Sequence, residues 1–120
     1  VEVSFGNWDM HDGIYEDNRL PAMAGELDTV MAALLSDLKA RGLLESTLVV
    51  LASEFGRSPK INDRAGRDHH PGVYSVVLAG AGVKGGLVYG KADEKAFRPA
   101  ENGVDIADVN ATVGAALGIK

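Results

Sequence analysis

Apolar residues recur at spacings of three and four between positions 20 and 38: Leu20, Met23, Leu27, Val30, Met31, Leu34, Leu35 and Leu38. That period puts them on one stripe and predicts an amphipathic helix over residues 19 to 41. Asp17 or Asn18 stands where a cap is needed, Pro21 fits the first turn, and Gly42 supplies the stop. The pattern elsewhere has other periods. Val1-Glu2-Val3-Ser4-Phe5 alternates as a strand does, so residues 1–6 are expected to be one. Thr47 to Ala52 and Val73 to Ala79 are continuous apolar runs, the pattern of strands buried on both faces of a parallel sheet. Residues 53–72 show no period and read as a functional loop. Residues 80–104 are Gly-rich and then polar, which predicts an extended hairpin or loop. Asp105 to Leu117 reads as a closing helix, with Ile106, Val109, Val113 and Leu117 on one face and Gly118 after it. Strand, helix, strand, strand, helix points to a layered α/β domain, with residues 1–120 forming a single domain or part of a larger one.

Composition narrows the function classes. A net charge of -5 with no Lys/Arg cluster gives no basis for nucleic-acid binding. No apolar run approaches the ~20 residues that span a bilayer, so no membrane span is expected. Without cysteine there is no disulfide framework and no thiolate metal site. The chain opens inside an alternating run with no initiator Met and no signal peptide, and is therefore expected to be a piece of a longer protein. Localisation is not readable from it.

All three histidines lie in two short segments, Asn7 to His11 and Gly66 to Pro71. Between these lies Ser53 to Pro59, directly after an apolar run. In open α/β sheets, ligands bind beyond the carboxyl ends of strands. Asp9 and His11, two residues apart in extended backbone, project to one side. A carboxylate with an imidazole suits Zn²⁺, Mn²⁺ or Fe²⁺ better than Ca²⁺, whereas the same pair can simply cap a turn. Glu54 follows the apolar run: either Arg57 is its ion-pair partner, or Glu54 is a ligand and Arg57 an anion clamp. In Asp68-His69-His70 one histidine can bind metal while neighbouring groups orient it, or the cluster is an exposed polar loop. Lys60, Arg64 and Arg67 suit an anionic substrate or keep the loop soluble.

Two nucleotide-binding patterns are discounted. Gly80 to Gly85 fits G-x-G-x-x-G, but no helix start follows; Gly85 to Lys91 spells G-x-x-x-x-G-K, but Ala92 replaces the hydroxyl that would hold Mg²⁺. The glycines of 80–90 are expected to serve positive φ angles in a connection.

Four stretches in order, Trp8 to His11, Glu54 to Asn62, Gly66 to His69 and Leu78 to Gly86, resemble an uncharacterised sulfatase-like family of the alkaline phosphatase superfamily. The resemblance implies an alkaline-phosphatase-like layered sheet with flanking helices, of which this chain is the carboxyl-terminal part. It implies a divalent metal cofactor, Zn²⁺, Mn²⁺ or Ca²⁺, held by Asp9, His11, Glu54 and His69, with Asp68 and His70 supporting these ligands. Arg57 takes the catalytic role of stabilising charge on the ester oxygens. The expected function is hydrolysis of a small anionic ester, phosphate or sulfate, by a nucleophile outside this chain. The alternative is a non-catalytic binder of metal or anion. The Asp9–His11 spacing is tighter than the superfamily's usual one, and Phe55 stands where its phosphatase branches carry histidine. An exposed sheet edge would favour self-association.

Overall fold

The computed structural model describes residues 1–119. Among the described residues there are two helices and three small ladders: α1 (Arg19–Ala40), β1 (Leu48–Leu51), β2 (Gly56–Arg57), β3 (His69–His70), β4 (Val77–Gly80), β5 (Lys91–Ala92), β6 (Pro99–Glu101) and α2 (Ile106–Ala116). Short 3-10 turns at Glu16–Asn18 and Leu44–Ser46 flank α1.

Both helices form where the period predicts them. Leu20, Met23, Leu27, Met31, Leu35 and Leu38 are half-buried along α1, while Val30 and Leu34 stay exposed. Each helix ends in the same way. Gly42, at φ 69°, lets Leu43 N–H reach the Leu38 carbonyl at 2.8 Å; Gly118, at φ 72°, lets Ile119 N–H reach Gly114 at 2.9 Å. The starts differ. The Asp105 carboxylate accepts from Ala107 N and Asp108 N, and Asp108 reciprocates, giving a capping box. At α1 neither expected cap operates: Asp17 and Asn18 are both left-handed, and Asn18 makes no side-chain cap bond.

The sheet differs from expectation. β1 and β4 pair antiparallel, Leu48 opposite Gly80 and Leu51 opposite Val77. A parallel pair needs a crossover, usually a helix, and no helix lies between β1 and β4. β2 pairs with β3 and β5 with β6, also antiparallel, so the described residues form mixed α/β structure with three two-stranded sheets rather than one layered sheet. Residues 1–6 form no strand, because alternation makes a strand only where a neighbour supplies a ladder. The expected hairpin in 80–104 is β5–β6. Gly80 and Gly82 take φ 84° and 77° with no helix following, so this stretch is a connection.

Only Met10 and Ile14 are fully buried apolar side chains among the described residues. The accessible surface is 8967 Å², against about 6,200 Å² for a compact monomer of 12.6 kDa. The radius of gyration is 16.2 Å, against about 13.6 Å for a compact chain of 120 residues. The apolar faces of α1 and of the β1–β4 ladder are therefore largely uncovered. No helix of the described residues is long and apolar enough to cross a membrane.

Candidate metal centre

Met10, 1% exposed, is the anchor from which the site is built. Its side chain goes inward, so Asp9 and His11 on either side of it face outward together. The segment is held against loop 62–67 by backbone bonds. Arg67 N donates to Met10 O at 3.0 Å, Gly13 N to Arg64 O at 2.9 Å and Ile14 N to Ala65 O at 2.9 Å. Gly66 makes this approach possible: a Cβ there would overlap the His11 carbonyl and the Asp12 nitrogen.

The β2–β3 ladder brings the other side chains. Its register sets Arg57 opposite His69, and partners across a ladder lie on one face. His70, the next residue, turns the other way. Its Nε2 donates to the Phe97 carbonyl at 2.9 Å and its ring meets Phe97 edge-on, so it anchors the β5–β6 turn. Phe55 lies against the His69 ring at 4.4 Å between centroids, with the Arg57 guanidinium 5.8 Å from its ring.

Three donor atoms thereby converge. Asp9 Oδ1 lies 2.8 Å from His69 Nε2 and 2.9 Å from His11 Nε2, and the two imidazole nitrogens are 3.0 Å apart. Asp68 Oδ1 is 3.1 Å from His11 Nδ1. Hydrogen-bond logic assigns the protons. Ionised Asp68 accepts only, so His11 carries its hydrogen on Nδ1 and turns the Nε2 lone pair toward the cluster. His69 Nε2–H then points between Asp9 Oδ1 and His11 Nε2. A divalent ion would take the place of that shared proton. Asp9, His11 and His69 are the residues that would hold such an ion. Oxygen and imidazole donors fit Zn²⁺, Mn²⁺ or Fe²⁺, and the Asp68–His11 contact is the orienting partner that such ligands take.

Both carboxylates are held ionised. The hydrogen bond from His69, then the close contact of the Arg57 guanidinium, lowers the Asp9 pKa to about 2, against a smaller opposing effect of desolvation. Asp68 is lowered first by its bond from Asn62 and then by His11. Arg57 Nη1 is 2.6 Å from Asp9 Oδ1, yet this nitrogen is buried with no acceptor aligned on its hydrogens. Proximity and charge hold the pair rather than a directed bond.

The remaining expected residues lie elsewhere. Glu54 is exposed in the bend after β1, outside the three-residue group. Arg67 is tied down, with Nη1 donating to the Ser58 and Pro59 carbonyls at 2.7 and 2.6 Å and Nη2 to the Tyr15 hydroxyl at 3.2 Å, so it is a strut of the loop. Lys60 and Arg64 are exposed. Asn62 was not singled out by the sequence, although it joins loop and site. An Asn in a polar loop signals an Asx turn, and it does accept from Arg64 N and Gly66 N, both at 3.0 Å.

What these elements define is a mixed α/β chain with a His-His-carboxylate cluster beside a guanidinium. The model of a family described as a protein of unknown function (DUF1501) matches residues 1–120, so the chain belongs to that family. This corrects the resemblance to a sulfatase-like family: the match is to an uncharacterised family, and nothing in it indicates the alkaline phosphatase superfamily. Four short motifs of common polar residues in order do not discriminate between families that share such loops. No curated protein and no solved structure matches the chain.

Proposed function

We propose that the chain carries a divalent-metal site that binds an oxyanion, and that its chemistry is metal-assisted hydrolysis of a phosphate or sulfate ester. The observation that carries this reading is the convergence of Asp9, His11 and His69. Their donor atoms lie within 4.8 Å of one another although up to 60 positions separate them. The metal would act as a Lewis acid on the ester oxygen and lower the pKa of a water, which would attack phosphorus or sulfur as the ester's alcohol leaves. The residues of the chain do the rest. Asp68 orients His11, Phe55 backs His69, and Arg57 meets negative charge on the non-bridging oxygens.

One observation favours a second reading, in which metal and anion bind without turnover. Ser53 and Ser58 flank the site in sequence, and both engage local backbone. Ser53 Oγ donates to Phe55 O at 3.0 Å, and Ser58 Oγ accepts from Lys60 N at 3.1 Å. Neither hydroxyl is committed to the cluster as a nucleophile.

Calorimetric titration with Zn²⁺, Mn²⁺ and Ca²⁺ separately, on wild type and His69→Ala, tests the site. Loss of one of three ligands is expected to weaken binding by more than the roughly 10–100-fold that loss of an orienting partner costs. An aryl phosphate and an aryl sulfate, assayed with each ion, separate the two readings: metal-dependent hydrolysis lost in Arg57→Gln supports the hydrolase, and tight metal binding with no turnover of either ester supports the binder. Absence of binding by all three ions in wild type sinks both.

A further inference from the structure

We infer that Asn62 is the positioning residue of the metal centre, setting the tautomer and aim of His11 through Asp68. The inference rests on the metal reading of the cluster and goes beyond it in naming what holds the ligands in place.

The Asn62 side chain uses its four hydrogen-bonding positions in two directions. Its Oδ1 faces the loop and accepts from Arg64 N and Gly66 N, each at 3.0 Å. Its Nδ2 faces the site and donates to the His11 carbonyl at 3.0 Å and to Asp68 Oδ1 at 2.9 Å. A primary amide has two donors and two acceptor positions, so this side chain is saturated. The donor half does two separate things. It holds the His11 backbone against the loop, and it pins the one Asp68 oxygen that receives His11 Nδ1. Remove it, and Asp68 is an exposed carboxylate free to rotate toward water. His11 then loses the partner that keeps its hydrogen on Nδ1 and leaves Nε2 open to the cluster. Partners of metal-bound histidines act in this way, and their loss costs roughly 10–100-fold in metal affinity.

The two directions of the side chain permit a clean test. Asn62→Asp keeps the acceptors for Arg64 N and Gly66 N and replaces the donor half by an oxygen facing Asp68. Asn62→Ala removes both halves. The tautomer of His11 is read from long-range proton–nitrogen spectra of the metal-free protein, at a pH where imidazoles are neutral. Wild type is expected to show His11 with hydrogen on Nδ1. In Asn62→Asp the population shifts toward Nε2–H, while the loop amides keep their wild-type dispersion. If Asn62→Ala fails to fold, Asn62→Asp alone decides. An unchanged His11 tautomer in Asn62→Asp overturns the inference, whatever happens to stability. Zn²⁺ titration adds a double-variant cycle. Asn62→Ala and Asp68→Ala should each weaken binding about tenfold or more, and together by less than the product of the two. Multiplying effects would show that Asn62 does not act through Asp68 and overturn the inference. A wild type that binds no Zn²⁺ but shows the tautomer shift would remove the metal reading and leave the positioning role of Asn62 standing.

Discussion

Replacing Gly66 by alanine should destroy the cluster by moving one wall of it. Gly66 is buried and its φ is not in the left-handed region, so a methyl group there costs space and no backbone strain. The added Cβ would overlap the His11 carbonyl and Asp12 N, which are backbone and have no rotamer to escape into. Clearing it to ordinary contact at ~3.5–4.0 Å requires loop 62–67 and segment 10–14 to separate by more than about 1 Å. Ligand bonds tolerate about 0.2 Å, so His11 leaves the range in which it can share an ion with Asp9 and His69. Three bonds across the seam, at 2.9, 2.9 and 3.0 Å, are stretched as well. At about 1 kcal/mol each, on an overpacking cost of ~1–3 kcal/mol, the expected loss is on the order of 4–6 kcal/mol. Urea unfolding followed by circular dichroism measures that loss, and calorimetry with Zn²⁺ on the folded variant measures the site. Gly85→Ala is the matched control, since nothing lies within 4 Å of a Cβ there and its φ is also ordinary. A Gly66→Ala protein that binds Zn²⁺ as tightly as wild type would show that the seam does not set the ligand geometry.

Gly25→Ala, in the exposed interior of α1 with open space around it, should stabilise the chain by ~0.5–1 kcal/mol, read as a higher urea midpoint. Asp105→Ala removes two cap bonds and should cost ~0.5–2 kcal/mol, seen in the same experiment together with faster amide exchange at Ala107 and Asp108. The Asp9 pKa is about 2 in the folded chain and 3.8 without its partners, so the stability it contributes is whole above pH 3.8 and lost as pH falls toward 2. Acid unfolding of Asp9→Asn should therefore be flatter than that of wild type over that interval, and equal slopes would refute it. With so much apolar surface uncovered and both outer edges of the β1–β4 ladder unpaired among the described residues, the chain should self-associate; a monomeric mass by light scattering at all concentrations would contradict this.

What the sequence determined is what depends on neighbours along the chain. The three-and-four spacing from Leu20 to Leu38 makes α1, and Gly42 and Gly118 stop the helices, because these preferences act within one or two turns. The alternation of Asp9, Met10 and His11 turned two polar side chains outward whether or not a strand formed, since the residue between them was drawn to the core. The donor chemistry of Asp9, His11 and His69 was equally legible, since it belongs to the residue. Tertiary structure decided the rest. The direction of β1 against β4 follows from the path of the chain through residues 52–76, which no local period encodes. The fate of each charged side chain depends on who meets it: Arg67 became a strut and Arg57 faced Asp9, although both are arginines in polar loops. The division between His69 and His70 comes from the β2–β3 register, which sends adjacent residues to opposite faces. Asn62 was invisible for the same reason. Its role lies in bonds to His11 and Asp68, and only folding brings loop 62–68 against the segment that follows Trp8.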